Sequence, residues 1–170
     1  MKRGRPPSAP TESPEKHVVD GWALYAHPLF LENYEALVAA VETEKRKDPK
    51  RYRNSNAAKL LYAVEELVER RIPENPADKK YRQGDALGVA NKNWFRAKFY
   101  QQFRLFFRFD SRSRTIVYVW VNDENSLRAY DSRSDAYRTF GKMLARGNPP
   151  ESFAELLKVS KALDKKRRSD

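Results

Sequence analysis

The chain has 170 residues, of which 40% are hydrophobic and 12% aromatic, which is typical of one globular domain with its own core. Its formal net charge of +11 favours a polyanionic partner: nucleic acid, an anionic membrane surface or an acidic protein. Cysteine is absent and only two histidines occur, so disulfides and thiolate catalysis are excluded and a metal site is disfavoured. No apolar run reaches the roughly 20 residues that span a bilayer, and the N-terminus lacks a signal-like apolar segment, so we expect a cytoplasmic protein.

The first segment, residues 1–20, is rich in Pro, Ser, Lys and Arg and predicts a disordered basic tail. Within it, "KRGRPP" resembles an AT-hook, whose Arg-Gly-Arg-Pro core lies in a narrow minor groove. So short a motif also fits a solvated basic tail, which is the interpretation we prefer. Residues 21–163 are predicted to form the folded domain, and residues 164–170 a basic C-terminal tail.

The folded region is predicted to begin with a short strand and two helices. Side chains in "GWALYA" alternate as in a strand. Apolar residues at helical spacing then predict a helix from Leu29 to about Lys47. A second helix is predicted after a cap at Asn54 or Ser55, and Pro73 and Pro76 end it. Two adjacent helices with a short link indicate a helical hairpin.

Beyond the loop "YRQGDALGVANKN", the periodicity changes from helical to alternating. Three strands are predicted here: Trp94–Phe99, Phe103–Phe109 and Thr115–Val121. Short turns join them into an antiparallel meander. A helix opened by a capping box from Ser132 to Asp135 follows, and then a shorter helix from about Ser152. The predicted fold class is α+β: a helical hairpin packed on a small antiparallel sheet of three central strands plus a short N-terminal strand, followed by C-terminal helices.

Alternation in the first two central strands separates rings from charges. Most of the rings, among them Phe99 and Phe107, fall on one face, where the helical hairpin is expected to bury them, and Trp94 and Phe106 fall on the other. The cations Arg96, Lys98, Arg104 and Arg108 fall on the opposite face, which we expect to be open, and no acidic residue interleaves with them. Neighbouring like charges repel and favour an anion with several oxygens, such as RNA phosphate. The alternative is an ordinary solvated sheet face that binds nothing.

Several longer segments carry a resemblance to a known family: "GWALYAHPLF", "YRQGDALG", "WFRAKF", "FRLFFRF", "WVNDENSLRAY" and "SDAYRTFGKMLARGNPP". They stand in order between about residues 21 and 153 and resemble the YhaV toxins of type II toxin–antitoxin systems, within the RelE-like superfamily. The resemblance implies a RelE-like toxin domain at residues 21–163. It also implies an endoribonuclease that cleaves mRNA, often on the ribosome, without metal or cofactor. In such enzymes the RNA's own 2′-OH attacks the adjacent phosphate in line.

The resemblance implies roles for individual residues. By position, Arg96, Lys98 and Arg104 match strand cations that surround the phosphate, and Lys98 is our preferred general base. Arg128 matches a basic residue that protonates or stabilises the 5′-oxygen. Tyr130 matches a tyrosine that stacks on a base. These five residues are the catalytic candidates.

Simpler interpretations stand beside these roles. Arg128 also suits a salt bridge with Asp123 or Glu124, and Tyr130 and Tyr137 also suit core packing. Further candidates for RNA contact lie close by: Lys92, Trp94 and Arg108.

Partners follow from the same resemblance. It implies inhibition by a cognate AbrB-like antitoxin, contact with mRNA and the ribosome, and contact with operator DNA through the antitoxin complex. No membrane partner is expected. Two other functions remain open from the residues alone: a non-catalytic nucleic-acid-binding module and a basic protein-interaction domain.

Overall fold

A six-stranded sheet with helices on both faces forms the body of the computed structural model, which describes residues 17–129 and 132–164. The strands are β1 (Val18–Val19), β2 (Trp22–Ala26), β3 (Phe95–Phe99), β4 (Phe103–Asp110), β5 (Thr115–Val121) and β6 (Lys161–Ala162). The helices are α1 (Pro28–Lys47), α2 (Asn56–Glu66), the single turn α3 (Ile72–Glu74), α4 (Ala136–Ala145) and α5 (Phe153–Lys158). The mixed α+β class is therefore confirmed. Most of the two predicted tails lies outside the described residues, although residues 18 and 19 form β1 rather than tail.

The strand order is β1-β2-β5-β4-β3, with β6 pairing β2. The predicted meander β3–β4–β5 is antiparallel, as its short turns require. The expectation of a wholly antiparallel sheet is wrong, because β2 lies parallel to β5, with Leu24 opposite Ile116. A tight turn forces its two strands to be antiparallel, whereas β2 is joined to the meander through helices and packing decides its direction.

One face of the sheet is covered by α1 and α2. Phe30 of α1 and Val64 of α2 pack in one buried cluster with ring-bearing strand residues such as Phe107 and Tyr118. The predicted burial of the rings against these helices is confirmed. The two helices also contact each other through Val41, Ala58 and Leu61. No helix among the described residues is long and apolar enough to cross a membrane.

The opposite face is covered as well, by α4 and α5. Phe140 of α4 stacks on Phe106 with ring centroids 4.3 Å apart, and Trp94 meets Phe140 edge to face. Leu156 of α5 is buried in the same cluster. The expectation of an open cationic face is therefore wrong, because the large rings that alternate with the cations on this face give the C-terminal helices an apolar surface to cover.

The N-termini of α2 and α4 show which of the predicted capping residues are correct. The side chain of Ser55 accepts a hydrogen bond from the Ala58 amide, so Ser55 rather than Asn54 caps α2. The predicted capping box beginning at Ser132 is wrong. Asp135 itself is the N-cap of α4 and accepts from the amides of Tyr137 and Arg138.

The chain does not leave the helical path at Pro73. A π-helical segment, Leu67–Arg71, links α2 to α3, and the amide of Ile72 bonds to the Leu67 carbonyl. In that register residue 73 should donate to the Val68 carbonyl, but proline has no N–H. The hydroxyl of Tyr118 in β5 donates to this carbonyl instead, at 2.8 Å. A side chain from the central sheet thus satisfies the backbone group that the proline leaves without a donor.

Candidate active site on the β3–β4 hairpin

The β3–β4 hairpin brings three of the predicted catalytic cations together. Lys98 lies directly opposite Arg104, and Arg96 lies opposite Phe106, one pair further along the same face. The joining turn is tight, with positive φ angles of 43° at Tyr100 and 61° at Gln101. Cross-strand neighbours on one face have Cβ atoms about 5 Å apart, so these side chains share one region, as the sequence predicts.

A tyrosine on α4 holds two of these cations. The hydroxyl of Tyr137 accepts from Nε of Arg96 at 2.9 Å and from Nε of Arg104 at 3.2 Å. Tyr137 sits in the first turn of α4, where Asp135 caps the helix and fixes its start. The packing role that the sequence suggests for Tyr137 holds, since the side chain is buried. Its hydroxyl adds the function of a shared anchor.

Backbone carbonyls complete the support of both guanidinium groups. Nη1 of Arg96 donates to the Lys80 carbonyl at 2.7 Å. Nη1 of Arg104 donates to the carbonyls of Gln101 and Phe103, at 2.7 and 2.8 Å. Both side chains are therefore restrained at Nε and Nη1, and both residues are less than a tenth exposed.

The outer amino group of each arginine remains available. Within residues 17–129 and 132–164, Nη2 of Arg96 and Nη2 of Arg104 make no hydrogen bond, and neither belongs to the buried unsatisfied atoms. In the same ranges no carboxylate lies within ion-pair distance of either guanidinium. The arrangement is a pair of preorganised positive donors without a counter-ion, which suits an incoming phosphate.

Arg128 joins the same cluster through the ring of Tyr137. Its guanidinium carbon lies 4.7 Å from the ring centroid of Tyr137, and its Nη1 donates to Asp135 at 2.7 Å. The sequence alternative of a salt bridge is thus correct in kind, but the partner is Asp135 rather than Asp123 or Glu124. Asp123 instead caps the short turn Glu124–Ser126.

Asp135 is ionised in spite of its burial. Burial by itself raises the pKa of its carboxyl, but hydrogen bonds from Arg128 and from the Ala129 amide outweigh it, and the pKa is lowered from its ordinary value. One carboxylate therefore caps α4 and forms an ion pair with Arg128, which links the position of Tyr137 to that of Arg128. The remaining catalytic candidate, Tyr130, lies outside the described residues.

The three candidates for RNA contact lie apart from this cluster. Trp94 is 1% exposed and packs beneath α4. Arg108 lies between the rings of Trp94 and Phe153, its guanidinium carbon 5.2 and 5.6 Å from their centroids, and donates to the Glu151 carbonyl. Desolvation by burial lowers the pKa of Arg108. Lys92 is exposed, 3.6 Å from Asp85. Packing explains Trp94 and Arg108 as they stand, and an RNA contact at these three positions stays a prediction.

A cleft of about 720 Å³ opens beside the edge strand β3. Its walls include the π-helical segment, residues 79–82 and the edge strand β3 itself. The cationic lining residues are Arg71, Lys79, Lys80, Arg82, Arg96 and Lys98. Four of these cations were not among the predicted site residues: Arg71, Lys79, Lys80 and Arg82. The segment "DKKYR" holds three cations in five residues, which is a signal for three of them.

Metal-ligating side chains do not gather in the part of the chain that the structure describes: no three His, Cys, Asp or Glu residues there are placed to hold an ion.

An α+β domain with a cluster of fixed arginines beside a basic cleft is the arrangement expected of a protein that binds nucleic-acid phosphates. The family model for the YhaV toxin, described as a toxin with endonuclease activity of a toxin–antitoxin system, matches residues 24–161. Over 140 residues the chain is 49% identical to the ribonuclease toxin YhaV of Escherichia coli K12, covering 81% of this chain and 91% of that relative. The toxin YhaV of Escherichia coli O157:H7 matches with the same identity and coverage. No solved structure matches.

The chain therefore belongs to the YhaV toxin family, and the resemblance stated above is confirmed. It is an endonuclease toxin of a toxin–antitoxin system. A non-catalytic binding module, one of the alternatives that the residues left open, is not what this family is.

Proposed function

We propose that the protein is an endoribonuclease that cleaves mRNA through attack of a 2′-OH on the adjacent phosphate, without a metal ion. The relative from Escherichia coli K12 is a ribonuclease toxin, which supports RNA as substrate. The observation that carries the mechanism is the pair of guanidinium groups of Arg96 and Arg104. Both are held on the hydroxyl of Tyr137 and both present an amino group without a protein partner among the described residues.

In this mechanism the two arginines bind the non-bridging oxygens of the scissile phosphate. Negative charge grows on those oxygens as the phosphorus becomes pentacoordinate, and donors that are already in position stabilise this state without reorganising. Lys98, exposed and directly opposite Arg104, takes the proton of the 2′-OH as general base. The 2′-oxygen–phosphorus bond forms and the phosphorus–5′-oxygen bond breaks, which leaves a 2′,3′-cyclic phosphate.

Departure of the 5′-oxygen requires a proton or a positive charge nearby. Arg128 supplies that charge, since it stacks on the same tyrosine ring as Arg104, and water supplies the proton that makes the 5′-hydroxyl of the downstream product. Tyr130 stacks on the base at the scissile step. This arrangement is a RelE-like one, and the order of hairpin, meander and C-terminal helices supports it.

The family implies an antitoxin as partner. We propose that this antitoxin is AbrB-like, that the toxin acts on mRNA in association with the ribosome, and that operator DNA is reached through the toxin–antitoxin complex. The cluster of cations without carboxylate partners favours an antitoxin that places acidic side chains over it.

The test uses purified protein and two single-stranded RNA oligonucleotides that differ only by a 2′-deoxy group at the cleavage position. We expect cleavage of the full RNA in the presence of EDTA, cyclic phosphate on the upstream product and no cleavage of the deoxy substrate. The variant Lys98→Ala should fold normally, because the side chain is exposed, and lose most of its activity. Cleavage of the deoxy substrate would contradict the mechanism, and so would loss of cleavage of the full RNA when EDTA is added.

A cellular experiment tests the biological role. Expression of the protein alone should arrest growth, and coexpression of the neighbouring gene product should restore it. Growth that is normal in both cultures, with soluble protein present, would contradict the assignment of this copy as an active toxin.

A further inference from the structure

The basic cleft beside β3 has cations that the proposed cleavage step does not use. We propose that this cleft binds the single-stranded RNA that flanks the scissile phosphate, through its phosphates and one stacked base. This inference rests on the proposed function, since it extends the same substrate beyond the reacting centre. The residues assigned to it are Lys79, Lys80, Arg82 and Tyr100.

Charge in the cleft is poorly compensated. Of the described residues that line it, only Glu66 is acidic, and that carboxylate already lies 3.4 Å from both Arg70 and Arg71. Among the described residues no carboxylate pairs with Lys79, Lys80 or Arg82. Cations that lack such partners are available to RNA phosphates, and release of the counter-ions condensed on the RNA drives binding.

The cleft and the arginine cluster are physically joined. The carbonyl of Lys80 holds Nη1 of Arg96, so the wall of the cleft also positions a catalytic candidate. Arg96 and Lys98 line the cleft themselves. An RNA strand whose reacting phosphate lies on Arg96 therefore continues directly into the cleft.

The shape and the aromatic residue favour RNA over an acidic protein segment. A volume of about 720 Å³ lies in the range of small-ligand sites and exceeds the needs of one phosphate. Tyr100 is 57% exposed at the hairpin turn and lines the same cleft. A nucleotide can stack its base on this tyrosine while its phosphate binds the cations. An acidic side chain can bind the cations but has no ring to stack.

The experiment measures binding separately from cleavage. The probe is a fluorescent single-stranded RNA of about ten nucleotides with 2′-O-methyl groups, a length within the usual site size for single strands. The variant Lys79→Ala/Arg82→Ala should raise Kd about tenfold near 0.1 M salt and make the log–log salt slope shallower by about 1.4. Tyr100→Asn, which tolerates the left-handed backbone of the turn, should raise Kd about fivefold with little change in the slope.

A matched control removes one lysine and one arginine elsewhere. Lys50→Ala/Arg51→Ala lies in the exposed turn after α1, near the start of α2 rather than its cleft-lining end, and should leave both Kd and slope unchanged. With unmodified RNA, the effect of Lys79→Ala/Arg82→Ala should fall on KM rather than on kcat.

Each outcome separates this inference from the proposed function. An unchanged Kd in Lys79→Ala/Arg82→Ala overturns the cleft assignment while cleavage by the wild type still stands. If this variant keeps its affinity for RNA but loses binding to a poly-glutamate peptide, the cleft takes an acidic protein segment and the RNA assignment is wrong. If the wild type binds the modified RNA through the cleft but cleaves no unmodified RNA, the proposed function fails and the cleft assignment holds.

Discussion

Arg96 and Arg104 keep little of the freedom of ordinary surface arginines. Hydrogen bonds at Nε and Nη1 fix each guanidinium, and both share one phenol oxygen. The entropy of ordering these side chains is therefore spent during folding rather than when the substrate arrives. Such preorganisation makes Tyr137 a positioning residue for the candidate site.

The variant Tyr137→Phe tests this positioning role. It keeps the ring under Arg104 and Arg128. It removes the hydroxyl that accepts from Arg96 and Arg104, so the guanidinium groups of these two arginines gain freedom. We expect kcat for RNA cleavage to fall about tenfold or more, with KM little changed, because the arginines act mainly on the transition state. Tyr25→Phe is the control. Tyr25 packs against the apolar cluster that contains Tyr137 and Phe140, and its hydroxyl makes no hydrogen bond to a described residue. Equal kcat values in the two variants would remove the role from Tyr137.

Asp135 makes the stability of the protein depend on pH. Its folded pKa is lowered from the ordinary value of 3.8, so its contribution to stability is fully present above that value and is lost as the pH falls through the folded pKa. Asp135→Asn should therefore be less stable than the wild type at neutral pH, and the difference should shrink below about pH 3.8. Urea unfolding between pH 6 and pH 2 measures this, and a difference that stays constant over the range would contradict it.

At the scale of elements, the π-helical segment and β5 depend on each other. Pro73 removes the donor that the Val68 carbonyl needs, and Tyr118 of β5 replaces it across the core. The hydroxyl of Tyr118 is fully buried, and desolvation raises its pKa well above the ordinary value. The π-helical segment can therefore be buried because the hydroxyl of Tyr118 on the neighbouring strand donates to the Val68 carbonyl.

A double-mutant cycle tests this coupling. Tyr118→Phe should lower the free energy of unfolding by about 1–3 kcal/mol, because the Val68 carbonyl stays buried without a donor. In the background of Pro73→Ala, where residue 73 regains its N–H, the same change should cost less. Denaturant unfolding of the four proteins gives the coupling energy, and a value near zero would mean that Pro73 does not create the need for the tyrosine.

At the scale of the whole molecule, two helical layers cover the sheet and only one of them carries Tyr137. The layer of α1 and α2 buries rings such as Phe107 and Tyr118, whereas α4 and α5 cover the face that holds the arginines and Phe106. Stability draws on both layers, but the candidate site depends on the position of α4. The two contributions can therefore be separated by mutation.

Truncation of one core residue in each layer makes that separation. Phe140→Ala should cost about 3–5 kcal/mol of stability, since the ring stacks on Phe106 and Trp120. It should also lower kcat of the folded protein by displacing Tyr137. Leu61→Ala, between α1 and α2, should cost about 2–5 kcal/mol and leave kcat of the folded protein unchanged. Parallel losses of kcat in both variants would contradict a special role for the α4 layer.

Part of the fold could be predicted from local pattern. The strands of the meander, the first helix, the Ser55 cap and the shared face of the β3–β4 cations are all correct, because each depends on spacing within one or two adjacent elements. The cover over the cationic face was missed, since buried arginines are uncommon and alternation does not distinguish an open face from a covered one. The uninterrupted apolar run of β5, buried along its whole length, was the available indication of a sheet covered on both faces.

The candidate site divides in the same way. Sequence by itself determined which cations share a face of the β3–β4 hairpin, because side-chain direction alternates strictly along a strand and a short turn sets the register. Only the tertiary structure decided that Arg96 and Arg104 meet Tyr137, that Arg128 pairs with Asp135, and that Arg108 lies between two rings. Those contacts join residues far apart in the chain, and their geometry comes from how whole layers pack rather than from any local period.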